Sequence, residues 1–233
     1  MPLLIKGLQK TSLVDYPGKV CAVVFLPDCT FRCPYCQNPE LINDADKLPQ
    51  VAEQELFDLL RARGKWLDAV CITGGEPTIH AGLPEFVRKI KNAGFLVKLD
   101  TNGSNPRMLK QLLDEKLVDY VAMDIKAPIE KYAEVANVPV DLRKIEESVG
   151  VIRSSGVDYE FRTTVLPRLL SEADMMKIGQ WLKGSRKYAI QQFRSVKTLD
   201  ASYARERPYS AQDLRNLAEK LKQFFGEVEV RGV

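Results

Sequence analysis

Three cysteines, Cys29, Cys33 and Cys36, stand at C-x-x-x-C-x-x-C spacing directly after an apolar run at 20–26. An apolar run ending in a short cysteine loop reads as a buried strand that delivers thiolates at its carboxyl end. Three thiolates this close repel one another, and metal, protons or oxidation must relieve the repulsion; metal is the reading favoured here. A closed zinc site takes four ligands, usually in two pairs. No second pair exists, since Cys21 and Cys71 are isolated and His80 is the only histidine. A [4Fe–4S] cluster also usually takes four thiolates, so three leave one iron open. A zinc or redox loop stands beside this as the plainer reading.

Other groups that could act on a ligand recur where strands should end. Gly74 and Gly75 let the backbone approach a ligand closely, and Glu76 and Pro77 fix the turn. Asp100, Thr101 and Asn102 close a third strand, and Asp124 and Lys126 a fourth. Carboxylates closing consecutive parallel strands point into one mouth and are rarely buried without a partner. The plain alternative is a salt bridge of Asp124 or Asp100 with Lys126. Arg162 is a guanidinium inside an apolar fifth strand, suited to a ligand carboxylate or to a buried ion pair. Gln192 ends the sixth. Cys21 and Cys71, inside strands, are expected to behave as small hydrophobes. Phe31 and Tyr35 should shield the cysteine loop, and His80 should be solvated. Between Lys183 and Arg207 seven basic residues face two acidic ones, which reads as a solvated face or as a docking surface for an acidic partner or RNA.

The elements that must position these groups are legible in the periodicity. Strands are expected at 4–8, 20–26, 69–73, 95–99, 120–125, 159–166, 188–193 and 228–230. Helical stripes run through Leu56, Leu59 and Leu60; through Leu83, Phe86, Val87 and Ile90; through Leu109, Leu112 and Leu113; and through Leu142, Ile145, Val149 and Ile152. Asn105 before Pro106 makes a helix start, and Ser171/Asp174 and Ser210/Asp213 are capping-box patterns. Segments 38–50 and 127–140 are expected to be irregular. Six main strands alternating with helices mean a parallel sheet with its loops gathered at the carboxyl ends. A full eight-fold barrel needs about 250 residues and two more units. The expected fold is therefore α/β, a partial (βα)6 TIM-like barrel in one domain over 1–233, with a leader at 1–18, a core at 19–195 and a carboxyl-terminal helix and strand at 196–233.

Composition is that of an ordinary globular chain, 233 residues with 45% hydrophobic and 28% charged, long enough for one well-buried core. A formal charge of +3 is too small to argue for nucleic acid. No run approaches the roughly 20 apolar residues of a membrane span, and no basic-then-apolar signal opens the chain. Five cysteines, an odd count with three crowded together, point to a reducing compartment. A cytoplasmic protein is expected.

Taken together, the cysteine motif, Gly74-Gly75-Glu76-Pro77 and Asp100-Thr101-Asn102-Gly103 resemble the radical S-adenosylmethionine (SAM) superfamily. The leader Ser12-Leu13-Val14-Asp15-Tyr16-Pro17-Gly18 and the sequel Cys36-Gln37-Asn38-Pro39-Glu40 are most similar to the activating proteins of anaerobic ribonucleoside-triphosphate reductase. The resemblance covers about 5–193. It implies that Cys29, Cys33 and Cys36 hold a [4Fe–4S] cluster whose fourth iron SAM chelates, with Tyr35 beside the adenine. It assigns Gly74, Gly75 and Glu76 to the SAM amino group, and Asp100, Thr101, Asp124 and Lys126 to SAM and, in some members, a monovalent cation. Arg162 would meet the SAM carboxylate or the partner backbone, and Gln192 the ribose hydroxyls. Gln37 stands where relatives commonly have histidine. The implied reaction is reductive SAM cleavage, followed by abstraction of hydrogen from a glycine Cα of a glycyl-radical enzyme. The cysteines of an inserted ferredoxin-like domain are absent, so flavodoxin or ferredoxin must supply the electron. The substrate being a protein, an open mouth with the leader 13–18 near it is expected. A radical SAM enzyme acting on a small molecule or RNA, and a non-catalytic iron–sulfur carrier, are the alternatives.

Overall fold

The computed structural model describes residues 3–233, so the first two residues of the leader lie outside it. Eight strands are formed: β1 (Gly7–Ser12), β2 (Cys21–Leu26), β3 (Ala69–Gly74), β4 (Leu96–Thr101), β5 (Tyr120–Asp124), β6 (Asp158–Val165), β7 (Lys187–Gln192) and β8 (Glu227–Arg231). They follow one another in the sheet in chain order. β1 pairs antiparallel with β2, whereas β2–β3, β3–β4, β6–β7 and β7–β8 are parallel. The helices are α1 (Pro39–Asn43), α2 (Glu53–Arg63), α3 (Leu83–Asn92), α4 (Pro106–Asp114), α5 (Tyr132–Ala136), α6 (Leu142–Ser154), α7 (Glu172–Trp181) and α8 (Ala211–Leu221). None of the described helices is long and apolar enough to cross a membrane.

The chain divides into two compact units. The first holds residues through Thr30, Glu40–Val121 and Lys144–Asp158. In its sheet the register sets Val24, Ile72 and Leu99 side by side, and on the other face Val23, Cys71 and Lys98. All six are buried, as expected of parallel strands covered on both faces. The helical stripes predicted from spacing are buried as well: Leu56 and Leu60 of α2, Phe86, Val87 and Ile90 of α3, Leu109 and Leu112 of α4. Asn105 caps α4 by accepting from the Met108 N–H at 3.3 Å, a contact type contributing about 1 kcal/mol.

The second unit holds Phe31–Pro39, Ala122–Arg143 and Tyr159–Val233. Its core joins Phe161, Tyr188 and Ile190 of the strands to Met175, Ile178, Leu214 and Leu221 of α7 and α8. Phe225 stacks on Tyr188 with ring centroids 4.5 Å apart, and the Tyr188 hydroxyl donates to Thr163 Oγ1 at 2.6 Å. Both predicted capping boxes are present, at Ser171/Asp174 and Ser210/Asp213. The last strand is clasped by charge. Arg231 donates two bonds, of 2.6 and 2.7 Å, to the fully buried Glu160 carboxylate.

Three expectations need correction. The first strand begins at Gly7 rather than residue 4, because Ile5 makes an isolated bridge with Val51 instead of continuing the ladder. Segments 38–50 and 127–140 are not irregular: they carry α1, α5 and one-turn 3-10 helices at Ala45–Lys47 and Ile129–Lys131. Five-residue helices show too little of the 3.6-residue period to be read from sequence; α5 is stopped by Asn137 in the left-handed conformation, at φ 54°. Lastly, the leader 13–18 is not near the cysteine loop. Ser12 pairs with Cys21 at the amino end of β2, and Tyr16 packs on Tyr120 at the start of β5, 5.5 Å between rings. The antiparallel return of β1 carries the leader, with its exposed Leu13 and Val14, to the end of β2 opposite Cys29.

The Glu160–Arg231 clasp is expected to obey the asymmetry of buried pairs. Arg231→Met removes the two guanidinium bonds from a buried carboxylate and should cost about 3–5 kcal/mol in urea unfolding, while Glu160→Leu combined with Arg231→Met should recover most of that loss. A single-variant loss below about 1 kcal/mol would place the pair among the weak surface ones.

Candidate functional site

In the first unit the strand ends are sewn together by one carboxylate. Gly75 N–H donates to Leu26 O at 2.9 Å and Glu76 N–H to Asp28 O at 2.7 Å, which lays the turn after β3 flat against the end of β2. The two glycines are required for this contact. A Cβ on Gly74, whose φ is +122°, would lie 2.3 Å from Leu26 O, and one on Gly75 would lie 1.7 Å from Asp28 O. Their close approach is thus to the chain's own backbone. Glu76, fully buried, accepts at Oε1 from Thr78 N (3.1 Å), Thr78 Oγ1 (2.5 Å) and Thr101 Oγ1 (2.7 Å), and at Oε2 from Asn102 N (2.6 Å). Burial pushes its carboxyl up, and these donors pull it back.

Asn102 continues the chain of contacts to the cysteine loop. Its amide donates to Thr30 Oγ1 at 2.9 Å and lies 3.7 Å from Cys29 Sγ, while Ser148 Oγ of α6 donates to Gly103 O at 2.7 Å. Below this turn, Lys98 is only 2% exposed and forms an ion pair with Asp100. The Cys71 thiol lies 3.8 Å from both, and the Lys98 ammonium 6.0 Å from the Tyr120 ring centroid. Cys21 and Cys71 are buried, as expected of small hydrophobes. His80 is not simply solvated: its Nε2 lies 2.9 Å from Pro27 O.

In the second unit, Cys33 is buried and Cys36 half-buried, with Cys36 N–H donating to Cys33 O at 3.0 Å. Tyr35 is buried, and Phe31 meets Tyr132 edge-on at 6.2 Å. The loop is held from two sides. Arg32 N–H donates to Ala136 O of α5 at 2.9 Å, and Leu199 and Asp200 N–H donate to Cys36 O and Pro34 O at 3.0 and 2.9 Å. The Gln37 amide donates to Arg194 O at 2.9 Å.

Asp124 carries two cations, Arg162 through Nε and Lys126 at 2.9 Å. Crowding by protein would raise its carboxyl, but Arg162 and then Lys126 outweigh that and hold it far below the usual carboxylate range. About a quarter of the Asp124 side chain, 26%, stays open to solvent. Lys126 is desolvated, which alone would lower it; Asp124, Tyr35 and Cys33 reverse the sign and raise its ammonium well above normal. Burial pushes the Cys33 thiol up, against the pull of Lys126. Of the two sequence readings of Arg162, the structure displays the buried ion pair. Gln192 donates to Tyr209 O at 2.6 Å, and its Oε1 is buried without a hydrogen-bond partner.

Two groups of cofactor ligands can be tested against these residues. The carboxylates expected for a monovalent cation, Asp100 and Asp124, are each engaged by the chain's own ammonium or guanidinium groups, so as placed they do not fit such an ion. Among the described residues no three His, Cys, Asp or Glu side chains converge as ligands of one metal ion. A cubane cluster with one iron left open asks something different, one thiolate for each of the other three irons, and three thiols within eight residues on a loop held at several backbone points fit that donor set. For SAM, the orphaned Gln192 Oε1 is an acceptor awaiting a hydroxyl or amine donor.

Comparison with known proteins shows the family to which the chain belongs. Residues 23–182 match the model of the radical SAM superfamily, and the chain belongs to that superfamily. Within it the chain falls among the glycyl-radical enzyme activating enzymes. It is 34% identical, over 100% of its own length and 98% of the other's, to a Methanocaldococcus jannaschii protein provisionally named as such. It is 29% identical to the pyruvate formate-lyase-activating enzyme of Clostridium pasteurianum over 78% of this chain and 77% of that one. Among solved structures, Streptococcus suis SuiB bound to S-adenosylmethionine superposes with a TM-score of 0.66 at 14% identity, covering 90% of this chain. The chain spans about half, 52%, of that structure, and the likeness is one of fold. The α/β fold with its partial (βα)6 sheet is therefore the radical SAM type expected from the sequence. The chain is an enzyme, and the superfamily's [4Fe–4S] cluster and SAM are its cofactors.

Lys98 escaped the sequence reading, and Asn102 was named there as part of its turn without the contact its amide makes to the cysteine loop. A lysine between Val97 and Leu99 in an apolar strand carried the same signal as Arg162 and marks a buried ion pair.

Two outcomes test these contacts. Glu76→Gln keeps the shape but sets an amide donor against a main-chain N–H, of Asn102 or Thr78, and should lose about 1–3 kcal/mol, roughly 2–4 °C in Tm per kcal/mol; an unchanged Tm would remove the carboxylate from its role as tie. For Asp124, a depressed carboxyl contributes its stability above the unfolded-state pKa and loses it as pH falls further. The deficit of Asp124→Asn, read by urea unfolding, should be level from about pH 8 to about pH 5 and shrink below about pH 4. A deficit already shrinking at about pH 6 would contradict the ion-paired carboxylate.

Proposed function

We propose that the chain generates the glycyl radical of a partner enzyme, anaerobic ribonucleotide reductase, in the cytoplasm, drawing its electron from flavodoxin or ferredoxin. In this reading Cys29, Cys33 and Cys36 are the cluster ligands, and Tyr35, Gly74, Gly75, Glu76, Asp100, Thr101, Asp124, Lys126, Arg162 and Gln192 serve cofactor binding, by contact with SAM or by holding the turns that contact it. The observation that carries it is the tie between the cysteine loop and the D-T-N-G turn through Asn102, in a chain matched end to end by a glycyl-radical enzyme activating relative. The leader S-L-V-D-Y-P-G and the C-Q-N-P-E sequel support the choice of partner.

When bound, the cluster and SAM supply the electron and the 5′-deoxyadenosyl group that takes a hydrogen atom from a glycine Cα. The chain's own residues position and insulate. Glu76 spends its acceptors on the two turns, so its part is to hold them rather than to meet the SAM amine directly. The Asn102 amide, 3.7 Å from Cys29 Sγ, is placed to donate to the ligating sulfur, a contact that tunes cluster potential. Gln192 Oε1 accepts from a ribose hydroxyl, which satisfies its orphaned acceptor. Hydrogen-atom abstraction needs no general base, consistent with His80 serving a backbone carbonyl.

The test is anaerobic. Reconstituted with iron and sulfide, reduced with dithionite and given SAM, the wild type should form 5′-deoxyadenosine and Cys36→Ala none. Addition of anaerobic ribonucleotide reductase should then yield a glycyl radical by electron paramagnetic resonance. A stable metal with no SAM affinity and no product would sink the reading. Product without a radical on that reductase, but with one on another glycyl-radical enzyme, would replace the partner.

A further inference from the structure

The run of seven basic residues divides in the folded chain. Lys183, Arg186 and Lys187 lie at the amino end of β7, where Lys187 pairs with Glu227 and Glu229 at 3.0 Å each and Arg186 rests 5.3 Å from the Tyr159 ring. The six residues of β7 then carry the chain about 20 Å along the strand. The other four, Arg194, Lys197, Arg205 and Arg207, emerge beyond its carboxyl end and are all exposed.

This second group stands on a built ledge. Phe193, Thr198 and Tyr203 are buried beneath it, and a 3-10 turn occupies Ala201–Arg205. Arg168 lies 4.2 Å over the Tyr203 ring and pairs with Glu206 at 2.7 Å, so one of the two local acids is already matched. The other, Asp200, is held by the Ser202 N–H at 2.8 Å. Both acids keep their charge, and Arg194, Lys197, Arg205 and Arg207 together with Arg168 outnumber them, so the ledge is net positive. It is also joined to the cysteine loop, since its Leu199 and Asp200 amides donate to Cys36 O and Pro34 O and its Arg194 carbonyl accepts from Gln37.

We propose that this ledge, bearing Arg194, Lys197, Arg205 and Arg207, is the docking surface for an acidic one-electron carrier protein that reduces the cluster. The assignment rests on Cys36 being a cluster ligand, as argued under Proposed function. The carrier loses one electron and the cluster gains one; no bond or proton changes hands. Position favours a carrier over the other acidic partners: one hydrogen bond joins the ledge to the peptide of Cys36, and electron delivery requires closeness to an iron ligand. A concentrated patch of one sign raises encounter rates with an oppositely charged protein by 10–10³-fold, and the gain falls with ionic strength.

The experiment uses the full chain, reconstituted, and reduced flavodoxin as the probe. Arg194→Glu, Arg205→Glu and Arg207→Glu combined should slow cluster reduction by flavodoxin at least about tenfold at low salt and flatten its salt dependence. Reduction by photoreduced deazaflavin, and the 5′-deoxyadenosine it yields, should stay at the wild-type level, which shows that the variant is folded and loaded. An unchanged flavodoxin rate would overturn the proposal. So would a variant that keeps flavodoxin reduction but loses radical formation on the glycyl-radical enzyme, or loses only salt-sensitive RNA binding. Salt-sensitive flavodoxin binding that the variant abolishes, in a chain that assembles no cluster, would support the ledge and overturn the assignment of the cysteines instead.

Discussion

The carboxylate of Glu76 sits in the protein interior with four donors around it, two from Thr78, one from Thr101 and one from Asn102. A buried carboxylate is costly unless its acceptors are filled, and here each oxygen is met by a group on the end of a strand. The consequence is a fixed spacing between the turn after β3 and the turn after β4. Because Glu76 N–H also bonds to Asp28 O, the end of β2 is drawn into the same arrangement one residue before Cys29. Three donors share Oε1 and the Asn102 N–H meets Oε2, so one carboxylate couples the two turns. Such mutual dependence preorganises a site before any ligand arrives.

A second constraint is ionic. Asp124 with Arg162 and Lys126, and Asp100 with Lys98, are pairs whose members share one unit and whose charges are wholly or largely desolvated. Pairs of this kind contribute little net stability against an apolar replacement, yet losing one partner is severe. Their presence is better explained by the need for fixed charge at strand ends than by folding. With cations built into the chain, the carboxylates that would invite a small inorganic cation are already served.

The same logic of placement separates the basic residues. Sequence proximity groups all seven, but a strand has two ends. β7 leaves three of them in ordinary pairing and stacking at one end and lifts four onto a ledge hydrogen-bonded to the cysteine loop. Charge that reads as one run in one dimension is divided between the two ends of the strand once the chain is folded.

What the sequence by itself determined are the features with local causes. Helical stripes such as Phe86, Val87 and Ile90 announced their buried faces, Asn105, Ser171 and Ser210 announced helix starts, and the cysteine spacing announced a loop carrying three thiols. Family resemblance in G-G-E-P and D-T-N-G then placed the strand ends in one superfamily. The short helices α1 and α5 were illegible because one turn has no period. The leader was misplaced because an antiparallel return reverses which end of a strand a segment meets, a fact stored in register rather than residue type. Only the tertiary structure decided that Gly74 and Gly75 serve backbone packing, that Lys98 neutralises Asp100, and that Gln192 keeps one acceptor without a partner. The glycine contacts and the Gln192 site depend on segments far apart in sequence brought within a few ångströms, whereas Lys98 and Asp100 are near neighbours whose pairing only their burial in one strand decides.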